Sequence, residues 1–160
     1  MTPKAEQFYF DQLQEFAALL PGRTPLLGFD VGEKTIGLAL SDVERIIATP
    51  YKTIMRGKFS KDLQEIEQII MTHHIGGLVV GYPVNMDGTI GTRCQSVRQF
   101  ARNLQAKIRL PVMFADERMS TMAVTTTMLA ADLSRKRRAE MVDKLAASYI
   151  LQGVIDRLRN

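Results

Sequence analysis

Soft and imidazole ligands are scarce in this chain of 160 residues, which has one cysteine and two histidines. Cys94 cannot form an internal disulfide, as expected of a cytoplasmic protein, and no histidine or cysteine near it in sequence prepares it as a nucleophile. His73 and His74 are adjacent, so they cannot share a helical face as a metal pair. No apolar run approaches the roughly 18–20 residues of a membrane span. The first residues include Glu6, Asp11 and Glu15 and lack the basic-then-apolar pattern of a secretion signal. Internal repeats and low-complexity segments are missing. Gly28 to Thr35 superficially suggests a phosphate loop, but Glu33 separates Gly32 from Lys34 and the glycine spacing does not fit GxxxxGK[ST].

What is present describes one ordinary globular domain, with 46% hydrophobic and 24% charged residues. The net charge of +4 permits a phosphate-rich partner without requiring one. The most informative stretch is Leu26 to Asp42, LLGFDVGEKTIGLALSD. It reads as two apolar strands joined at Gly32-Glu33-Lys34 in an antiparallel hairpin. Asp30 interrupts the first strand, and an unpaired buried carboxylate costs several kcal/mol or shifts toward its neutral form. Either turn amides at Gly32 and Glu33 satisfy it, or it is held there for a metal ion or a phosphate.

A helix is expected over 3–20, with Tyr9, Leu13, Phe16 and Leu20 on one face and Pro21-Gly22 as its stop. It packs on the domain or contacts a partner or subunit. A third strand is expected over 46–55, near a sheet edge because of Pro50. A helix capped by Ser60 follows over 60–72, with Leu63, Ile66 and Ile70 inward. IGGLVVGY, 75–82, reads as a central parallel strand, and PVNMDGTIG, 83–91, as a loop. In the helix expected over 92–107, Val97, Phe100, Ala101 and Leu104, with Ile108, recur at helical spacing, and Arg93, Arg98 and Arg102 lie off that stripe. PVMFA, 111–115, is a buried strand that delivers Asp116-Glu117-Arg118. A helix from Ser120 or Thr121 to Asp132, a basic connector over 134–138 and a last helix over 139–158 complete the order. That helix is expected to bury Val142, Leu145, Ala146, Tyr149, Ile150 and Val154. The fold class is therefore α/β: a mixed five-stranded sheet, three antiparallel strands then two parallel ones, flanked by helices. The division expected is an N-terminal helical extension, 1–24, and a single domain, 25–160.

Ligands of open α/β sheets gather beyond the C-terminal ends of parallel strands. Asp30, Asp116 and Glu117 lie at such ends, and Asp143, near the start of the last helix, neighbours the small Ala146 and Ala147 on the helical wheel. Alone, Asp143 can serve the helix dipole, and Asp116 with Arg118 can form a surface pair. Converging carboxylates instead call for a divalent cation, and Mg²⁺ or Mn²⁺ suits oxygen ligands. Two such ions support phosphodiester hydrolysis. Arg135-Lys136-Arg137-Arg138 is either a solvated run or a seat for a phosphate backbone, which would relieve the conflict of cations with a helix N-terminus.

GFDVGEKTIGLALSD, VVGYPVNMDG, DERMST and VDKLAASYILQ together resemble, in order, the motifs of the YqgF family. These Holliday-junction resolvase-like proteins belong to the ribonuclease H-like superfamily, and some are described as processing the 5′ end of precursor 16S ribosomal RNA. The resemblance covers about residues 25–158. It implies a ribonuclease H-like fold and metal-dependent nuclease activity, in rRNA processing for ribosome biogenesis or on branched DNA. By position it implies catalytic and metal-binding roles for Asp30, Glu117 and Asp143, with Asp116 as a helper. Arg118, Arg135, Lys136, Arg137, Arg138 and Asn85 would hold nucleic acid. Residues 1 to about 24 precede the usual family start, and Met119 and Ser120 vary from the usual residues after DER. The implied partners are precursor rRNA or branched DNA and the small ribosomal subunit, for a monomer or homodimer away from membranes. Two other readings are a weakly catalytic rRNA-binding assembly factor and nucleotide binding. The latter rests on DxGxxxxG, which resembles the phosphate hairpin of the actin and sugar-kinase superfamily. Those proteins close two such domains around ATP, and 160 residues provide one.

Overall fold

In the computed structural model, the structure describes residues 13–83, 92–116 and 135–159, with side chains from Arg93 in the second segment and from Lys144 in the third. The expected hairpin forms from β1 (Leu26–Val31) and β2 (Thr35–Ser41). They pair antiparallel from Leu27 opposite Leu40 to Val31 opposite Ile36. The turn closes where the Gly32 amide donates to the Thr35 carbonyl at 2.8 Å, and Arg56 Nη1 donates to the Gly32 carbonyl at 2.7 Å. The third strand, β3 (Ala48–Met55), is at the sheet edge as Pro50 requires. Its register against β2 shifts between Leu38, opposite Lys52, and Ala39, opposite Pro50, so Tyr51 is the extra residue of a bulge.

The helix α2 (Phe59–His73) starts without Ser60 as its cap. Lys58 holds that position with no side-chain capping bond, and the buried Asp62 carboxylate accepts from the Gly57 amide at 3.2 Å. The helix ends at His74 in a left-handed conformation, and the Ile75 amide donates to the Ile70 carbonyl at 3.1 Å. Strands β4 (Gly77–Tyr82) and β5 (Val112–Asp116) flank α3 (Thr92–Lys107), and both lie parallel to β1 in the order β3-β2-β1-β4-β5. Among the described residues this is the five-stranded mixed sheet expected. The helix expected over 121–132 lies outside them.

Alternation along the strands divides the core in two. Leu27, Phe29, Val31, Leu78, Val80, Tyr82, Val112 and Phe114 pack against α2 and α3, whose Ile66, Val97, Phe100, Ala101 and Leu104 are buried. On the other face, Leu26, Ala39, Val79, Met113 and Ala115 meet α1 (Leu13–Leu19), through Phe16, and the last helix, α4 (Arg135–Arg159). The expected inward face of α4 needs correction. Tyr149 is exposed and Leu145 only half-buried, whereas Ala146, Ala147, Ile150, Leu151, Val154 and Ile155 are buried. The cause is Gly28. A Cβ there would stand 2.9 Å from Leu151 Cβ and 3.3 Å from the Ala147 carbonyl oxygen, so a residue without one lets α4 settle onto β1 through Ala147 and Leu151. Val142 lies outside the described side chains. No helix among the described residues is long and apolar enough to cross a membrane.

Candidate active site

The parallel pairing of β1, β4 and β5 brings Val31, Tyr82 and Asp116 to one edge of the sheet. Asp30 is one residue inside that edge and is 8% exposed. It follows Leu26 and Gly28 in the alternation and so lies on the α4 side. The Gly32 amide, one of the two turn donors considered for it, is committed to Thr35. A cation also stands close: Arg93 Nη2 is 3.6 Å from Asp30 Oδ1 and donates to the Val31 carbonyl at 3.1 Å. The arginine comes from the first turn of α3, and its side chain is half exposed.

Asp116 is exposed at the end of β5. By alternation it falls on the α2/α3 side, since Met113 and Ala115 face α4, and two strand spacings of about 4.8 Å separate its strand from β1. Asp30 and Asp116 therefore share an edge but not a face. The α4 helix runs antiparallel to β1. Gln152 Oε1 accepts from the Ala48 amide at 2.8 Å and Gln152 Nε2 donates to the Ile46 carbonyl at 3.0 Å at the far edge, while Ala147 and Leu151 sit at Gly28. Position 143 is one turn, about 5.4 Å, before Ala147, so its backbone approaches the edge where Asp30 stands. The side chain of Asp143 lies outside the described residues, as do Asn85, Glu117 and Arg118. Among the described residues no three His, Cys, Asp or Glu side chains form a metal-holding group. Arg135 to Arg138, expected in a connector, instead form the first turn of α4. These four cationic residues thus belong by position to the helix's own first turn, where cations oppose the dipole.

A cavity of about 450 Å³ opens at the same edge on the α3 side, lined among the described residues by Val31, Gly32, Glu33, Arg93, Ser96 and Val97. Cys94, buried next to Arg93, donates its thiol to the Pro83 carbonyl at 3.2 Å. His73 Nε2 is 3.3 Å from the Tyr51 hydroxyl, against the bulge of β3. Sequence reasoning missed Arg93 as a neighbour of Asp30, treating it only as a residue off the apolar stripe. The usable signal was its place in the first turn after a glycine-rich loop, at the edge where ligands of α/β sheets gather.

Residues 24–157 match the family model described as "RuvX: Holliday junction resolvase". The chain belongs to this family, RuvX or YqgF. Among its relatives, a protein of Ruegeria sp. (strain TM1040) is 53% identical over 94% of this chain and 96% of its own. A second, from Paramagnetospirillum magneticum, is 57% identical over 89% of this chain and 92% of its own. Both are named "Putative pre-16S rRNA nuclease". The Ruegeria match leaves only about ten residues of this chain uncovered, so most of the segment before residue 24 has a counterpart there. Two solved structures share the fold: Thermus thermophilus RuvC in complex with a Holliday junction substrate, 13% identical over 86% of this chain and 97% of that one with a TM-score of 0.55, and Fowlpox virus resolvase, 7% identical over 86% and 100% with a TM-score of 0.53. The chain is thus a nuclease of ribonuclease H-like fold, an enzyme that acts on nucleic acid.

Proposed function

We propose that this protein hydrolyses phosphodiester bonds at the 5′ end of precursor 16S rRNA, in the cytoplasm, during assembly of the small ribosomal subunit. The observation that carries the substrate is identity above 50% along nearly the whole chain with relatives bearing that name. The reading of the site rests on a carboxylate, Asp30, buried at the C-terminal edge of the parallel strands, where α/β sheets collect ligands.

Asp30, Glu117 and Asp143 would hold Mg²⁺ or Mn²⁺, their oxygens fitting a hard divalent cation, whereas Asp116 lies on the other face of the sheet from Asp30 and is left out of the set. When bound, such an ion supplies activation of the attacking water and neutralisation of charge on the leaving oxygen. The chain's own residues then have distinct tasks. Asp30 fixes one donor on a rigid central strand, and Arg93 offsets its charge. The close seat of α4 on Gly28 supports position 143. Arg118, Asn85 and the cations from Arg135 to Arg138 hold the phosphate backbone.

Purified protein with Mn²⁺, offered precursor 16S rRNA and a four-way DNA junction, tests both substrate and metal. The expected outcome is trimming of the RNA in preference to the junction, lost on chelation. Asp30→Asn should reduce cleavage to background while thermal unfolding stays cooperative; retained cleavage removes Asp30 from the mechanism. The family description favours a second reading, junction resolution. Preferential cutting of the DNA would establish it. Binding of the RNA without cutting under any metal would point to an assembly factor.

A further inference from the structure

The cavity bordered by Arg93 and the hairpin turn is mixed in chemistry as well as large enough, at about 450 Å³, for a small ligand. Val31 and Val97, both members of the core, give it an apolar floor. Ser96 offers a hydroxyl. Its charged members have opposite signs, Arg93 and Glu33. Asp30 is also within 3.6 Å of Arg93, so a bare anion entering here meets carboxylates as well as the guanidinium. A better match is a ligand with an anionic group at one end and hydrogen-bond donors on a flat, partly apolar body. A nucleotide has that form. The guanidinium's planar fork suits a phosphate, and a carboxylate accepts from the exocyclic amino group of a base.

We propose that this cavity seats one nucleotide of the substrate strand on the α3 side of the Asp30 edge, with its phosphate on Arg93 and the amino group of its base on Glu33. The assignment rests on the nuclease reading above and adds a base preference to it. Cytosine, adenine and guanine carry an exocyclic amino group; uracil does not. Arg93 links the two regions, since the side chain that offsets Asp30 also borders the cavity.

The test uses the intact protein in EDTA, titrated with cytidine 5′-monophosphate, uridine 5′-monophosphate and inorganic phosphate, and read by calorimetry and the methyl resonances of Val31 and Val97. The cytidine nucleotide should shift those methyls and bind about fivefold or more tighter than the uridine one, with phosphate weaker still. Arg93→Gln should weaken it about tenfold, with Arg93→Lys recovering part of the loss. Glu33→Gln should reduce the cytidine preference to about twofold or less. Asp30→Asn should tighten nucleotide binding, because it removes the carboxylate that competes for Arg93, although it abolishes cleavage. No methyl shift, equal affinity for phosphate and the cytidine nucleotide, or an unaffected Arg93→Gln variant overturns the proposal. Nucleotide binding in a protein that cuts no RNA or DNA would sink the nuclease reading and leave the cavity assignment standing. Cleavage that keeps its KM in Arg93→Gln, with no nucleotide bound, would do the reverse.

Discussion

The two faces of the sheet are packed by different means. Toward α2 and α3 the contacts are between large rings. Phe100 meets Phe29 and Phe59 edge-on at 6.1 and 5.9 Å between centroids, and Tyr82 meets Phe114 at 5.1 Å. Toward α4 the sheet presents Gly28, Ala39 and Ala115 among Leu26, Val79 and Met113, and the helix answers with Ala147 beside Ile150, Leu151 and Val154, with no aromatic ring from the strands among the described residues. Large rings bury much apolar area and hold the layers apart at side-chain width. Small residues bury less, but they bring backbone to backbone and limit how far the helix can slide. The aromatic face is built for stability, and the alanine face for the position of α4, whose first turns approach the edge that carries Asp30. Substitutions on the two faces should therefore separate folding from cleavage.

Phe100→Ala makes the largest expected change. Phe100 is 3% exposed, its ring touches two others, and the Arg56 guanidinium lies 5.5 Å from its centroid. Removing it should lower unfolding free energy by about 3–5 kcal/mol in urea, with kcat per folded molecule little changed. Gly28→Ala should do the opposite. The added Cβ, 2.9 Å from Leu151 Cβ, forces α4 away from β1. Overpacking of this kind costs about 1–3 kcal/mol, and a shift near 1 Å in a supporting element can lower kcat on the order of a hundredfold. If Gly28→Ala kept full kcat, the alanine face would have no role in positioning α4.

Much of this division is readable in the chain, and the unread part has a physical cause. Period-two and period-3.6 patterns gave the strands and α3 because their residues are buried on faces set by local geometry. The inward face of α4 was misread because Tyr149 looks like core, and periodicity does not reveal that Gly28, about 120 residues earlier, draws Leu151 inward. Ser60 suits a helix cap, yet the helix starts two residues earlier, with Lys58 at the cap and the Gly57 amide bound locally by Asp62, five residues on, so residue type alone misplaced the boundary. Asp30 stood out because a carboxylate in an apolar strand is costly, whereas Arg93 did not, since an arginine off a helix's apolar stripe is ordinary. The basic run was visible as composition, but not that helix formation begins within it.

That run offers a smaller test at the head of the same helix. In the proposed interface, each cation from Arg135 to Arg138 that meets a phosphate should contribute about one unit to the slope of log affinity against log salt. Arg137→Ala should weaken precursor RNA binding severalfold at low salt and shallow the slope by about that amount. Unfolding free energy should rise by about 0.3–1 kcal/mol, because one cation leaves the helix N-terminus. An unchanged slope would make Arg137 a solvated residue.

The smallest effect is expected at the edge of the sheet far from Asp30. After β2, Asp42 Oδ1 accepts from the Ile46 and Ile47 amides at 2.8 and 2.9 Å, and Oδ2 accepts from Glu44 at 3.2 Å. The Ile47 amide, with help from those of Ile46 and Glu44, holds this carboxyl below its ordinary value, against a smaller opposing push from burial. A carboxyl depressed by folding contributes stability above its unfolded pKa, near 3.9, and loses that contribution as pH falls through the lower folded value. Asp42→Asn should therefore be less stable than the parent at pH 7, by about 1 kcal/mol or less given the exposure of the turn. The gap should begin to close below about pH 4, as urea midpoints at a series of pH values will show. Because this turn lies away from both α4's first turns and the Asp30 edge, kcat should not change. A fall in kcat would mean that the two edges of the sheet are coupled through α4, whose Gln152 joins it to the Ile46 carbonyl and the Ala48 amide, and that stability and position are not divided as cleanly between the two faces as their packing implies.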